Sequence, residues 1–262
     1  MIRHIRFFVL ALSALAVSVT AQVAAPVPLP ADKELQDILK TLKEVVADRK
    51  MARDAEGLDS IATMLKKWEA GLNDKDQETV VKGLDGVFYQ GKLRDADKLQ
   101  LYTAAAVALG RLGKSGGKPL MEAIKGSRFP SKREWIPMRE ILLKQLGKTM
   151  DEGAIEMLVK LAKSDPEPAI EAAAGEALGN FDQSKDQIRK DIVNALLIKW
   201  GEFESKAIPI DPGNLEAQNA RSALTVISGK WNDTLRRLTR QNLDKFGQWQ
   251  TWFNKNKNKE WK

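Results

Sequence analysis

The sequence predicts an all-α protein, an α-solenoid of stacked antiparallel helix pairs, and three observations lead to that prediction. Apolar residues recur at the helical spacing of three and four residues along most of the chain. Aromatic residues make up only 6%, so the core must be mostly Leu, Ala, Ile and Val, which favours packed helices over a β-sandwich. A short pattern ending in Leu-Gly recurs at intervals of 34 and 32 residues. No stretch alternates with a period of two, so no β-strand is predicted.

The first 21 residues have the features of a cleaved signal peptide. Two arginines precede an apolar run over residues 7–19, and residues 19–21 offer small side chains at the cleavage positions. The run is shorter than the roughly 20 residues of a membrane span, although a retained anchor is the alternative. Residues 22–31 are rich in Pro and Ala, which favours an extended linker. We therefore expect a secreted or periplasmic mature chain without a transmembrane span.

The remaining chain divides into three parts. Residues 32–94 carry helical stripes typical of N-terminal helix pairs, and the sequence leaves open whether they form a separate small bundle. Residues 95–229 contain the repeats. Residues 230–262 hold nine Lys or Arg against three Asp or Glu, together with four of the seven tryptophans. The basic character of the chain, with a formal charge of +7, therefore belongs mainly to its C-terminal segment.

The repeated unit is a small-residue helix followed by a polar turn and a second apolar helix. It occurs at residues 103–113, 138–147 and 170–179, with a weaker copy at 220–229. Helix pairs with this period are typical of α-solenoids, because one pair cannot bury its own apolar face. A generic bundle of Ala-rich helices is the alternative. Four glycines are expected to adopt the left-handed conformation that ends a helix: Gly110, Gly113, Gly147 and Gly179.

The stretch from Asp165 to Gly179 resembles a HEAT repeat. It has an Asp-Pro turn, then a β-branched residue, alanines and a terminal Leu-Gly. Glu171 stands where that family usually has Arg, a departure that affects the Asp–Arg ladder such repeats often carry. The resemblance covers roughly residues 95–200, and Phe246–Asn254 is similar to the Trp-x-x-Trp endings of some exported bacterial HEAT-like proteins. It implies a scaffold for protein–protein contact and specifies no substrate.

The residue types present exclude much catalytic chemistry. The chain has no Cys, so disulfides, thiolate metal sites and Cys nucleophiles are excluded. Its single histidine, His4, lies in the predicted signal peptide. Ser115 and Lys118 have the Ser-x-x-Lys spacing of some acyl-enzymes, but the partner motifs are missing. We predict no enzyme activity, no cofactor and no metal site.

Three segments carry aromatic residues outside the regular stripes. Residues 127–137 and 200–213 are unusually apolar for loops and would form either flaps over the core or ligand surfaces. In the C-terminal segment, Trp249, Trp252 and Phe253 lie at i, i+3 and i+4, which suits a cap on the open end of the solenoid; a polyanion site is the alternative. The run from Asn254 to Lys259 is expected to be a solvated tail. The possible partner-binding residues are Phe129, Trp135, Trp200, Phe203, Arg236, Arg237, Arg240, Trp249, Trp252, Lys255 and Lys257.

Three functional hypotheses follow. The first is an exported, non-catalytic scaffold that binds an unidentified protein along its concave face. The second is a module that binds an acidic polymer or an anionic envelope surface through the basic, aromatic C-terminal segment; nucleic acid suits an exported protein less well. The third is a hydrolase that uses carboxylates, or Ser and Lys, and it requires a deep pocket containing a carboxyl group of raised pKa.

Overall fold

The computed structural model describes residues 30–208 and 213–261. The predicted signal peptide and residues 22–29 of the predicted linker lie outside the described residues, as does Ile210 of the apolar segment. Within the described ranges every regular element is helical and there is no strand, which confirms the all-α prediction. No helix in this part of the chain is long and apolar enough to cross a bilayer.

Eleven α-helices are described, joined by short turns of 3-10 helix. They are α1 (Lys33–Ala47), α2 (Asp54–Ala70), α3 (Asp74–Tyr89), α4 (Gln100–Arg111), α5 (Gly117–Lys125), α6 (Ile136–Lys148), α7 (Ile155–Ser164), α8 (Pro168–Leu178), α9 (Asp186–Ala207), α10 (Leu215–Thr239) and α11 (Phe246–Asn256). Side-chain caps begin several of them. Asp32 accepts a hydrogen bond from the Leu35 amide at 3.1 Å, and Asn214 accepts one from the Ala217 amide at 2.9 Å.

The helices form two layers in a solenoid-like stack. The even-numbered helices α2, α4, α6, α8 and α10 pack side by side in chain order. The odd-numbered helices form the second layer, in which α1 contacts α3, α7 contacts α9, and α9 contacts α11. Each even helix also packs on an odd neighbour, so the core is the space between the layers. Because α2 and α3 both contact α4, the N-terminal helix pairs continue the same stack.

The expectation about the glycines is right for one position and wrong for three. Gly113 has a φ of 62°, as a left-handed helix end requires. Gly110 and Gly147 instead lie within α4 and α6, and Gly179 has a φ of −64°. Gly110, Gly147 and Gly179 instead allow close packing, since each lies against the neighbouring even-numbered helix.

Close approach explains the small residues of the even-numbered helices. A Cβ atom on Gly147 would lie 2.7 Å from the carbonyl oxygen of Ala177 on α8. A Cβ atom on Gly175 would overlap the indole of Trp231 on α10. Larger side chains at these positions would force the helices apart, because interiors are packed at near-crystalline density. The glycines therefore allow the layer to form instead of ending its helices.

An Arg–Asp pair joins α6 to the turn before α8. Arg139 corresponds in the predicted repeats to Glu171, and its Nη2 lies 4.0 Å from Oδ2 of Asp165. The same guanidinium donates from Nη1 to the carbonyl oxygens of Ile124, at 3.2 Å, and Phe129, at 3.0 Å. An Arg–Asp contact thus forms at the repeat that has Arg at this position. Glu171 has a different partner, described below.

The C-terminal helix α11 covers α9 at the end of the stack. Trp249 is fully buried, and its Nε1 donates to Oδ1 of Asn232 at 2.6 Å. The lysines after α11 are exposed, but the chain is held again at Trp261, which is 7% exposed. Arg189 Nη2 donates to the Trp261 carbonyl oxygen at 2.9 Å. The run from Asn254 to Lys259 is therefore mostly solvated, as expected, but its first three residues belong to α11 and the chain beyond it returns to the core at Trp261.

Candidate functional site

A cleft of about 460 Å³ opens beside the N-terminus of α8. It exists because of a difference in helix length. Helices α9 and α10 have 22 and 25 residues, whereas α8 has 11, so the two long helices extend beyond it. The cleft is lined by the turn before α8, the last turns of α9 and the first turns of α10.

A buried ion pair lies in this cleft. Glu171 on α8 is 3% exposed, and its Oε1 is 3.0 Å from Nζ of Lys199 on α9. The Lys199 ammonium also lies 4.5 Å from the ring centroid of Phe203 and 4.0 Å from Oε2 of Glu202. Burial raises the pKa of the Glu171 carboxyl group, and the neighbouring ammonium opposes that rise.

An exposed apolar side chain lines the cleft. Leu215, at the start of α10, is 67% exposed. Half-buried Phe203 of α9 also lines the cleft. Across the mouth, Lys206 Nζ lies 3.0 Å from Oε1 of Glu216. Neighbouring apolar side chains of this size, bordered by charges, are typical of a contact surface.

Four of the predicted partner-binding aromatics are core residues, so those predictions were wrong. Phe129 and Trp135 are 0% and 6% exposed, and their ring centroids are 5.5 Å apart in a cluster under the 127–137 segment. Trp200 and Trp249 are 2% and 0% exposed. Their large apolar area stabilises the fold when it is removed from water, which leaves none of it for a partner.

The segment from residue 200 was also predicted wrongly as a loop. The first eight of its residues continue α9 to Ala207, which puts Trp200 on the buried face and Phe203 three residues later in the cleft. Of the eleven candidates, Phe203 is the one that lines this cleft. Sequence periodicity missed the continuation because Gly201 and the charged residues around it interrupt the apolar stripe.

The basic candidates lie at the C-terminal end, apart from the cleft. Arg236 donates to Asp233 Oδ1 at 2.8 Å and also contacts Asp244, so its charge is compensated. Arg237 donates to Oδ1 of Asn180 at 3.3 Å. Three further basic residues are exposed, and Trp252 is half-buried against the Trp261 ring at 5.1 Å. These three are Arg240, Lys255 and Lys257, and Arg237 is exposed as well.

Sequence reasoning missed Lys199 and Leu215 as site residues. Glu171 carried a signal, since a carboxylate among alanines on a buried helix is unusual. Lys199 and Leu215 carried none, because tertiary packing alone brings them to the same cleft as Glu171. The described residues contain no cluster of three or more acidic, His or Cys side chains that could hold a metal ion.

The cleft meets one requirement of the hydrolase hypothesis, a carboxyl group of raised pKa in a pocket. The same carboxylate, however, is bound to Lys199, as in a structural ion pair. In comparisons with known proteins, no family model, no curated protein and no solved structure matches the chain. The functional argument therefore rests on the geometry of the cleft.

Proposed function

We propose that the protein is an exported, non-catalytic HEAT-like scaffold that binds a segment of a partner protein in the cleft between α8, α9 and α10. The observation that carries the proposal is the exposure of Leu215 beside Phe203 in the lining of the cleft. The volume of about 460 Å³ lies within the range of about 300 to 1,000 Å³ typical of small-molecule pockets, so the cleft would hold a few side chains of a bound segment. Export is supported by the signal-peptide pattern of residues 1–21.

The surrounding structure suits a rigid binding platform. Helix α10 packs against both α8 and α9, and α7 packs against the same two helices from the other layer, through a continuous buried core. A preorganised cleft loses little conformational entropy on binding, which favours affinity. The proposed contact surface lies at the edge where α8 and α10 begin, so it is more local than the concave face expected from the sequence.

A second candidate function is binding of an acidic polymer or an anionic surface by the C-terminal segment. Exposed Arg240, Lys255 and Lys257 favour it, together with half-buried Trp252. This mode would weaken steeply with salt, because its attraction is screened. The aromatic contribution is smaller than the sequence suggests, since Trp249 is buried.

Site-specific photo-crosslinking tests the proposal. A photoreactive residue is introduced at Leu215 in the chain from Gln22 to Lys262, and at Val226 as a matched control, since Val226 is 42% exposed on the same helix outside the cleft. We expect position 215 to crosslink one discrete protein from an envelope extract, in low and high salt, and position 226 to give none. Equal crosslinking at both positions, or none at either, would refute a protein-binding cleft.

Charge reversal distinguishes the second candidate function from the first better than truncation of the C-terminal segment does. Ending the chain at Gly229 would cut α10, which runs to Thr239, and would remove buried Trp231 and Leu235. The triple substitution R240E/K255E/K257E instead changes exposed residues only. Loss of binding in this variant, with retention in a variant of the cleft, would assign the function to the C-terminal segment.

A further inference from the structure

We infer that one edge of the stack is a separate binding surface, for a linear polymer that carries carboxylate or phosphate groups. The surface consists of three turns that each join an odd-numbered helix to the next even-numbered helix. They are residues 48–53 between α1 and α2, 90–99 between α3 and α4, and 126–135 between α5 and α6. We call this surface the basic edge. It shares no residue with the cleft or with the C-terminal segment, so the inference is independent of the proposed function.

The three turns form one continuous surface. Gly91 has a φ of 67°, and a Cβ atom there would lie 2.0 Å from the carbonyl oxygen of Val46, so the middle turn crosses the end of α1. Arg128 of the third turn donates from Nη2 to the carbonyl oxygens of Gln90, at 3.0 Å, and Gly91, at 2.9 Å. The middle turn therefore contacts both of its neighbours.

Cations are in excess on the basic edge. Its three turns hold nine Lys or Arg against four Asp or Glu. Three of the cations form ion pairs with carboxylates of the described chain, and one of the four carboxylates is used in those pairs. The three are Arg53, Arg94 and Lys98. Six cations then remain against three carboxylates, and the six are Arg49, Lys50, Lys92, Arg128, Lys132 and Arg133.

The excess is local to these turns. The next turn of the same type, residues 165–167 between α7 and α8, holds two carboxylates and no cation. Charges farther apart than about 8 Å are largely screened at physiological ionic strength, so an approaching anion responds to the charges of the nearest turns. The basic edge would therefore attract an anion that the neighbouring turn repels.

A cavity between the first two turns concentrates this charge. It has a volume of about 720 Å³ and is lined by Ala47, Arg49, Gly91 and Lys92. Both of its charged side chains are cations, both residues are exposed, and no carboxylate of the described chain lines it. Asp48 is adjacent in sequence, but its carboxylate oxygens accept hydrogen bonds from the backbone amides of Lys50, at 3.0 Å, and Ala52, at 2.9 Å.

An arginine and a lysine that face one cavity suit a carboxylate or a phosphate group. The guanidinium group binds either anion through two parallel hydrogen bonds, and the ammonium group adds a compact positive charge. The cavity lies within the range of about 300 to 1,000 Å³ of ligand pockets, so it would hold one acidic unit of a polymer. Packed helices lie about 8 to 10 Å apart, so the cations of successive turns suit acidic groups that repeat along a chain.

The recess between Arg49 and Lys92 favours a polymer chain over a membrane surface. A chain can place an acidic group between the two side chains, where it contacts both of them. The headgroups of a flat bilayer would meet only the outer ends of these side chains. The cavity therefore selects the polymer as the occupant.

Binding of fluorescently labelled polyphosphate and polygalacturonate to the chain from Gln22 to Lys262 tests the inference. The two polymers distinguish the two kinds of acidic group, and vesicles of phosphatidylglycerol and phosphatidylcholine provide the comparison with a membrane. We expect at least one polymer to bind, more tightly than the vesicles do. Its affinity should fall in high salt, because the attraction is between exposed charges.

Two charge-reversal variants locate the site. R49E/K92E should weaken polymer binding at least about tenfold, because two attractive contacts become repulsive. Both residues are exposed, so the fold should tolerate the change, which circular dichroism checks. K160E/K163E on α7 is the matched control, since it makes the same change of charge at exposed residues outside the basic edge. It should weaken binding less than about twofold.

Each remaining outcome contradicts the inference. Binding of neither polymer, or of the vesicles alone, would overturn the polymer as occupant. Unchanged affinity in R49E/K92E, or an equal loss in K160E/K163E, would overturn the site. A loss in R240E/K255E/K257E that exceeds the loss in R49E/K92E would assign the binding to the C-terminal segment instead. None of these results depends on crosslinking at position 215, so the cleft is tested separately.

Discussion

Removing the Lys199 side chain should convert a compensated ion pair into an isolated buried charge. Lys199→Met keeps the length and apolar stem of the side chain but deletes the ammonium that lies 3.0 Å from Glu171. Glu171 is 3% exposed although it lines the cleft, so water replaces the lost partner only in part. Breaking a buried pair by removing one partner costs about 3 to 5 kcal/mol, and we expect a loss of that size at neutral pH.

The destabilisation should depend on pH. Burial raises the pKa of Glu171 above its ordinary value of 4.5, and the loss of Lys199 raises it further. A raised folded-state pKa means that the folded state binds the proton more tightly than the unfolded state does. The stability that this tighter proton binding contributes is fully present below pH 4.5. It is lost as the pH rises through the folded-state pKa, at about 1.4 kcal/mol per pH unit.

Urea unfolding of K199M and of the unsubstituted chain at pH 5 and pH 8 measures both effects. We expect the difference in unfolding free energy to be larger at pH 8, and E171Q to restore most of it in the double variant. K206M is the control, because its ion pair with Glu216 is more than half exposed and should contribute at most about 1 kcal/mol. A loss below 1 kcal/mol for K199M, or an equal loss at both pH values, would refute the argument.

Three further substitutions test the packing of the stack. Gly175→Ala should lower the unfolding free energy by about 1 to 3 kcal/mol, since its Cβ would overlap the indole of Trp231; thermal unfolding measures this. Trp261→Ala should cost about 3 kcal/mol, because it removes a buried ring at the chain end, and urea unfolding measures it. Asp54→Ala should cost about 3 to 5 kcal/mol, because it leaves the fully buried guanidinium of Arg94 without its bidentate partner; calorimetry measures it.

Each of these substitutions has a matched control at an open position. Gly247→Ala, where a Cβ meets nothing within 4 Å, should not be destabilising. Lys257→Ala and Glu44→Ala alter exposed residues and should change stability by less than about 0.5 kcal/mol. If a core variant were as stable as its control, the corresponding contact would contribute nothing to the fold.

Much of the architecture was predictable because local patterns determine it. Helical spacing of apolar residues, as in the stripe from Leu35 to Val46, predicts an amphipathic helix wherever one face must be buried. The structure places α1 over that stripe and buries Leu35, Leu42 and Val45. The Leu-Gly recurrence likewise predicted repeated helix pairs, although Gly110 and Gly147 provide contact surfaces instead of helix ends.

The candidate site was less predictable, because its members are brought together by helix length and packing. Phe203 and Glu171 were noticed separately, but the cleft forms only because α9 and α10 extend beyond α8. Aromatic residues in polar segments led to the opposite error. Phe129 and Trp135 were candidates for partner binding, but their side chains fold inward. Charged neighbours in the sequence do not indicate whether an aromatic side chain faces the solvent or the core.

The sequence by itself determined the all-helical class, the positions of most helices and the absence of Cys chemistry, because each of these depends on residue type or on spacing within one helix. Only the tertiary structure decided which glycines permit contact, which tryptophans are buried, and which lysine faces Glu171. The physical reason is that these features depend on contacts between different helices and turns, such as Glu171 with Lys199, and tertiary packing sets the distance between them.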